Sequence, residues 1–177
     1  MTSRIIIIFL TGTILILLFT WFVSLREKRY HGIPRFFAFE GLLLMGLIQA
    51  DTWFKDPLLP RQIISWILLV LSIVYVFEAF RLYFRNTKPD LNFENSTRLV
   101  TAGLYKFIRH PMYASLLFLG WGMFLKEINP LTISVIIIIT IAVFITCKVE
   151  EKEMIKRFGD EYKDYMKKTR LWIPYVI

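Results

Sequence analysis

An all-α integral membrane protein is the fold class predicted for this chain, and three observations lead there. Apolar residues make up 56% of the 177 and mean hydropathy is +0.53, more than a water-soluble domain of this size carries. Those residues gather in long blocks, whereas half-buried strands would give short alternating runs. The 22 Lys and Arg fall between and after the blocks, as in membrane proteins whose connections are sorted by charge. The length suits one domain, so residues 1–177 are read as a single membrane domain, with N-terminal helices over 1–84 and a second part over 85–177.

Five blocks predict about five transmembrane helices. Residues 5–23 are uncharged and long enough to cross, at about 20 residues per span. Only "SLREKRYHG" follows, without a small-residue cleavage pattern, so this block is expected to be retained. Residues 36–54 are interrupted by Glu40, Gln49 and Asp51 and make a weaker span. Residues 63–84 are long, with Glu78 and Arg81 near the end. Residues 112–125 and 131–149 are separated by "KEINP", where Asn129 and Pro130 read as a tight turn between antiparallel helices. The fourth block is short for a full span and calls for tilt or extension by its neighbours. The first three blocks carry no motif.

Charge sets the orientation. With the N-terminus outside, five spans put 18 of the 22 basic residues on the inner side, the bias expected of cytoplasmic segments. A four-span version with a re-entrant second block splits the basic segments across both faces and ranks lower. The connection 85–111 and the tail from Lys148 then share the cytoplasmic face. For so short a chain a prokaryotic plasma membrane is the expected location. The same topology accounts for the net charge of +8 and pI near 9.7, so membrane lipid and no nucleic acid is expected as partner. Cys147 is the single cysteine, and His31 and His110 are the only histidines. That leaves no intrachain disulfide and too few ligands for a metal site. Nothing in the sequence reports oligomeric state.

The most informative stretch is "GLYKFIRHPMYASLLFLGWG", residues 103–122. Pro111 suits the first position of a helix, because its missing N–H needs no partner there and its φ is already set. It also pushes His110 away from helical geometry. His110 therefore stands outside a helix end whose free N–H groups attract a carboxylate or phosphate. Arg109 adds a fixed charge, Tyr105 and Tyr113 add aromatic faces, and Gly103 permits a turn. Two readings stand at this point: a binding site, or an interfacial anchor of Arg, His and Tyr.

A second seam follows the fifth block in "CKVEEKEMIKRFGDEYKDYMKKTRLWIP". Glu150 is the first carboxylate after the apolar run, and at membrane depth it is costly unless it has a partner, which makes it a site candidate. Glu151 and Glu153 are expected to be solvated and to pair with Lys or Arg along their own helix. Gly159 is expected to end that helix and Asp160 to begin another. In that last helix Phe158, Tyr162, Tyr165 and Met166 share a face opposite lysines, as in a helix lying in the membrane interface.

Together, the "RHPMY" seam, the hairpin, the glutamates and "FGDEYKDY" resemble the isoprenylcysteine carboxyl methyltransferase family, which belongs with the phospholipid methyltransferases. The resemblance runs from about Leu99 to Pro174. It implies an S-adenosyl-L-methionine-dependent transferase for a lipophilic small molecule or lipidated substrate, with residues 85–177 as the catalytic part. The family's cofactor contacts fall on Thr97, Arg98, Leu99, Val100 and Tyr105, then on His110, Pro111, Met112 and Tyr113, and last on Glu150. Arg109, Thr146 and Lys148 are the implied substrate-side residues. The isoprenylcysteine enzymes carry an Arg one turn before the key Glu, where this chain has Thr146. No general base is nominated. Two rivals are carried beside this reading: an NADPH-dependent membrane reductase of the sterol reductase type, whose seam is similar, and a non-enzymatic membrane scaffold.

Overall fold

The computed structural model describes residues 3–86 and 99–175. Within them six α-helices follow one another: α1 (Ser3–Val23), α2 (Gly32–Ile48), α3 (Pro60–Asn86), α4 (Pro111–Phe124), α5 (Pro130–Phe158) and α6 (Asp160–Lys168). Among the described residues there is no strand beyond an isolated parallel bridge between Ile108 and Arg170.

Local chemistry accounts for the boundaries. Pro111 opens α4, and His110 before it is non-helical at φ −125°, ψ 61°. Asn129 caps α5: its side chain accepts from Thr132 N–H at 3.0 Å, and the Thr132 hydroxyl accepts from Asn129 N–H at 2.9 Å, a reciprocal cap. Gly159 takes φ +59° between α5 and α6, and α6 carries Asp160 and Glu161 in its first turn and Lys167 and Lys168 in its last, each sign at the end where the helix dipole favours it. The second block sits earlier than expected. Its helix begins at Gly32, ends at Ile48 and gives way to a 3₁₀ turn over Ala50–Thr52, because Pro34 seeds the first turn and the polar Gln49 and Asp51 arrive at the end.

The five longer helices alternate in direction. Glu40 of α2 meets Thr13 of α1, His31 and Gly41 of α2 meet Glu153 and Ile139 of α5, and Ser65 and Tyr75 of α3 meet Gly122 and Phe118 of α4. Three of them, Ser3–Glu27 with its terminal turn, Pro60–Arg85 and Pro130–Phe158, are long and apolar enough to cross a membrane. The 17 residues of α2 and 14 of α4 reach about 26 and 21 Å at 1.5 Å per residue, short of an apolar core about 30 Å thick. Ile7, Leu15, Ile73 and Phe77 point out of the bundle, as a lipid-facing surface requires.

The interior lies between α2, α4 and α5, where Met45, Ile139 and Val143 are fully buried. Small residues let the backbones approach, as in other membrane bundles. A Cβ at Gly122 would come within 3.0 Å of Leu69, and the Ser65 hydroxyl donates to the Gly122 carbonyl at 2.7 Å. At one end of this bundle lie the α1–α2 corner, the end of α3, the start of α4 and the end of α5. The connection around residues 99–110 and the tail from Lys148 thus share an end.

Candidate active site

The seam and the tail are joined by backbone. Arg109 N–H donates to Arg170 O at 2.8 Å, His110 N–H to Leu171 O at 3.2 Å, and Arg170 N–H to Phe107 O at 2.9 Å. Gly103 makes the approach possible: it takes φ +57°, and a Cβ there would run into Leu82 of α3. Tyr165 of α6 reaches back to donate to Tyr105 O at 2.6 Å, and Trp172 Nε1 donates to Cys147 Sγ at 3.2 Å. The apolar face of α6 is therefore spent on the protein. This corrects the expectation of an interfacial helix: Tyr162 and Tyr165 are 3% and 8% exposed, because the tail folds back over the seam.

Arg109 is the clamp at the centre. Its Nε donates to Glu151 Oε1 at 2.7 Å, and its Nη1 to the carbonyls of Thr169 at 2.5 Å and Met166 at 3.2 Å. Lys148 holds the other oxygen of Glu151 at 2.9 Å. Glu151 is thus 3% exposed, and the expectation that it is solvated and paired only along its own helix is overturned. Glu153 departs from the same expectation: its carboxylate meets His31 Nδ1 at 2.6 Å across 122 positions of sequence. Both carboxylates face neighbours that helical periodicity alone does not reveal.

Between the seam, α5, α6 and the α1–α2 corner lies an open cleft with about 120 Å³ of internal space. Leu99, Val100, Tyr105, His110, Pro111, Met112, Tyr113 and Glu150 all line it, as does Arg109. Thr97 and Arg98 lie outside the described residues. Thr146 and Lys148 are not brought to the cleft. Thr146 is fully buried with its hydroxyl donated to Ala142 O at 2.7 Å, and Lys148 turns to the surface beside Glu151.

The remaining lining was missed from sequence: Arg29, His31 and Arg35 from the α1–α2 corner, Tyr83 from α3, Met154 and Phe158 from α5, and Tyr162 and Tyr165 from α6. The available signals were that His31 is the only other histidine and that Arg35 stands beside an apolar block.

His110 Nε2 and Glu150 Oε2 are buried at the cleft and have no hydrogen-bond partner among the described residues. The imidazole sits between two carboxylates, Nδ1 at 3.9 Å from Glu150 and Nε2 at 3.7 Å from Glu151, near enough to attract and too far to bond. Burial raises the phenols of Tyr105, Tyr162 and Tyr165 well above the usual tyrosine range, and the charge of Glu150 adds to this at Tyr105 and Tyr162. The lining therefore combines neutral phenols with an orphaned carboxylate oxygen near a helix N-terminus.

Comparison with known proteins gives a consistent result. A family model described as phospholipid methyltransferase matches residues 60–161. A methanethiol S-methyltransferase of Bradyrhizobium diazoefficiens is 30% identical over 128 residues, covering 68% of this chain and 44% of the relative. A methanethiol S-methyltransferase of Pseudomonas deceptionensis is 32% identical over 71 residues, 40% of this chain and 26% of the relative. A probable protein-S-isoprenylcysteine O-methyltransferase of Oryza sativa subsp. japonica is 27% identical over 140 residues, 77% of this chain and 69% of the relative. The chain thus spans less than half the length of the first two.

Proposed function

We propose that this chain, which belongs to the phospholipid methyltransferase family, is an S-adenosyl-L-methionine-dependent methyltransferase that modifies a lipophilic acceptor at the cytoplasmic boundary of a membrane. The observation that carries the reading is the pair of orphaned atoms, Glu150 Oε2 and His110 Nε2, in a cleft lined by the seam. The relatives above are named methyltransferases, which disfavours both the reductase and the scaffold. Their names divide between oxygen and sulfur acceptors, so the acceptor atom is left open at this level.

The donor set suits that cofactor. Glu150 offers a carboxylate oxygen to an ammonium group, a charge-assisted hydrogen bond. The first turn of α4, with His110 before it, offers N–H groups and positive potential to a carboxylate. Tyr105, Leu99 and Val100, with Met112 and Pro111 beside them, offer flat and apolar surface for an adenosine. S-adenosylmethionine, when bound, supplies an electrophilic methyl on a sulfonium. What the chain contributes is alignment and dryness: Tyr113, Tyr162 and Tyr165 close the cleft against water, and the Arg109–Glu151 clamp holds the tail over it. Holding two reactants in line contributes a large part of such a rate enhancement, and excluding water strengthens each electrostatic contact.

Glu150→Gln tests the assignment. Loss of a charge-assisted bond should weaken binding of S-adenosylhomocysteine, measured calorimetrically, by about ten- to a hundredfold. Unchanged affinity in a folded variant would remove Glu150 from the site.

A further inference from the structure

A second groove, open and with about 640 Å³ of internal space, lies next to the cofactor cleft. Leu99 and Tyr165 line both, and methyl transfer in the cleft leaves this groove without a role. We propose that it seats the phosphate-bearing head group of an anionic bilayer phospholipid, one that is not the methyl acceptor, and that this head group holds the tail closed over the cleft.

Charge, aromatic surface and depth support it. The groove is bounded by Lys106 and Phe107 of the seam and by Glu161, Asp164 and Lys168 of α6, with Tyr175 of the tail. Asp164 is matched by Lys167 at 2.7 Å, and Asp160 before it by Lys163 at 2.8 Å. That leaves Glu161 against Lys106 and Lys168 in the lining, and the exposed Arg170 follows on the same tail. The excess is positive, which suits an anionic leaflet. Phe107 and Tyr175 are exposed with ring centres 6.1 Å apart, and Lys106 Nζ lies 5.9 Å from the Phe107 ring. Aromatic rings beside lysines are the composition of the head-group region of a membrane. The tail is also at the right depth. Trp172 packs against Phe144, 6.0 Å between ring centres, and Phe144 is exposed on α5 just before its apolar run ends. The groove therefore adjoins the lipid-facing side of α5.

The groove and the closure of the tail share residues. Tyr165 and Thr169 line the groove, while the Tyr165 hydroxyl donates to Tyr105 O and the Thr169 carbonyl accepts from Arg109. A phosphate between Lys106 of the seam and Lys168 of α6 adds charge-assisted contacts across the joint that Arg109 closes from inside. A ligand that fits only the closed tail shifts the population towards it by its differential affinity. Lipid composition thereby sets how firmly the cleft is covered, with no contact to the reacting atoms.

Nanodiscs of phosphatidylcholine alone, and of two parts phosphatidylcholine to one part phosphatidylglycerol, test this on the full chain. Without cofactor, amide hydrogen exchange over residues 160–175 should slow by about fivefold or more in the anionic discs. S-adenosylhomocysteine should bind more tightly there by a similar factor, because the two effects are linked. Replacing Lys106→Gln together with Lys168→Gln should abolish both differences while leaving behaviour in phosphatidylcholine as in wild type. Lys152→Gln with Lys163→Gln removes the same charge outside the groove and should keep the response. All four lysines are exposed, so neither variant endangers folding. Equal exchange of the wild type in the two discs, a response that survives in the Lys106/Lys168 variant, or its equal loss in both variants would overturn the proposal. Free glycerol 3-phosphate that reproduces the effect in phosphatidylcholine would overturn the assignment to a bilayer lipid. Failure of S-adenosylhomocysteine to bind in either disc would instead strike the methyltransferase reading, and the exchange result would stand without it.

Discussion

Replacing Arg109 by Met tests the clamp that assembles the site. The Arg109 side chain is 10% and that of Glu151 4% exposed, so the pair is largely withdrawn from water on both sides. Removing one partner of such a pair costs about 3–5 kcal/mol, chiefly because the other charge is stranded. Here the cost falls at the lower end, because Lys148, with 44% of its side chain exposed, still holds Glu151 at 2.9 Å. Two carbonyls, of Met166 and Thr169, also lose their donor. A loss of about 3 kcal/mol in a chain of this length lowers Tm by about 6–12 °C. Glu151→Gln keeps the shape and leaves Arg109 its two carbonyls, so it should cost less, about 1–3 kcal/mol, and Lys148→Met less than about 1 kcal/mol, being a surface contact. Thermal unfolding followed by tryptophan fluorescence gives the order, and trypsin cleavage after Lys167 and Lys168 reports release of the tail. An unchanged Tm in Arg109→Met, or equal losses in Arg109→Met and Lys148→Met, would refute the reasoning.

Other outcomes follow from the same geometry. Gly103→Ala should destabilise by about 1–3 kcal/mol, because the position needs φ +57° and the new methyl meets Leu82; an unaltered Tm contradicts this. Tyr165→Phe removes the donor of a buried bond to Tyr105 O and should cost about 1–3 kcal/mol, with faster tail cleavage as the local readout. The phenols of Tyr105, Tyr162 and Tyr165 are raised, chiefly by burial. The stability this represents is fully present below the unfolded value of about 10 and is lost as pH rises through the higher folded values. Absorbance at about 295 nm, where phenolate absorbs, should therefore show a fraction of the tyrosines titrating late, together with unfolding. A single reversible transition near the ordinary value for all eight tyrosines would contradict it.

The parts of the fold set by neighbours in sequence were legible. Pro111 marked the start of α4, Asn129 and Pro130 the turn before α5, and Gly159 the end of α5, since each acts through its own neighbourhood in sequence. The grouping of Leu99 to Tyr113 with Glu150 was implied by the family resemblance, and the short hairpin of α4 and α5 accounts for their lying at one end. Glu151 could not be told from a solvated carboxylate. Its burial depends on Arg109 and on a tail that returns to the seam, and α5 would show the same periodicity without them. The α1–α2 corner was invisible for a similar reason: His31 meets Glu153 across 122 positions of sequence, and Arg35 beside an apolar block reads as an ordinary juxtamembrane charge until α1 covers it. The short α2 and α4 show the limit of counting apolar residues, because hydropathy marks a block and not the length of helix inside it.

What the cleft binds is the most direct test of a methyltransferase. Calorimetric titration of the purified protein with S-adenosylhomocysteine and, separately, NADPH measures this without knowledge of the acceptor. The account predicts saturable binding of S-adenosylhomocysteine that is weakened in Glu150→Gln, and no binding of NADPH. Binding of NADPH alone, or of neither, would contradict it.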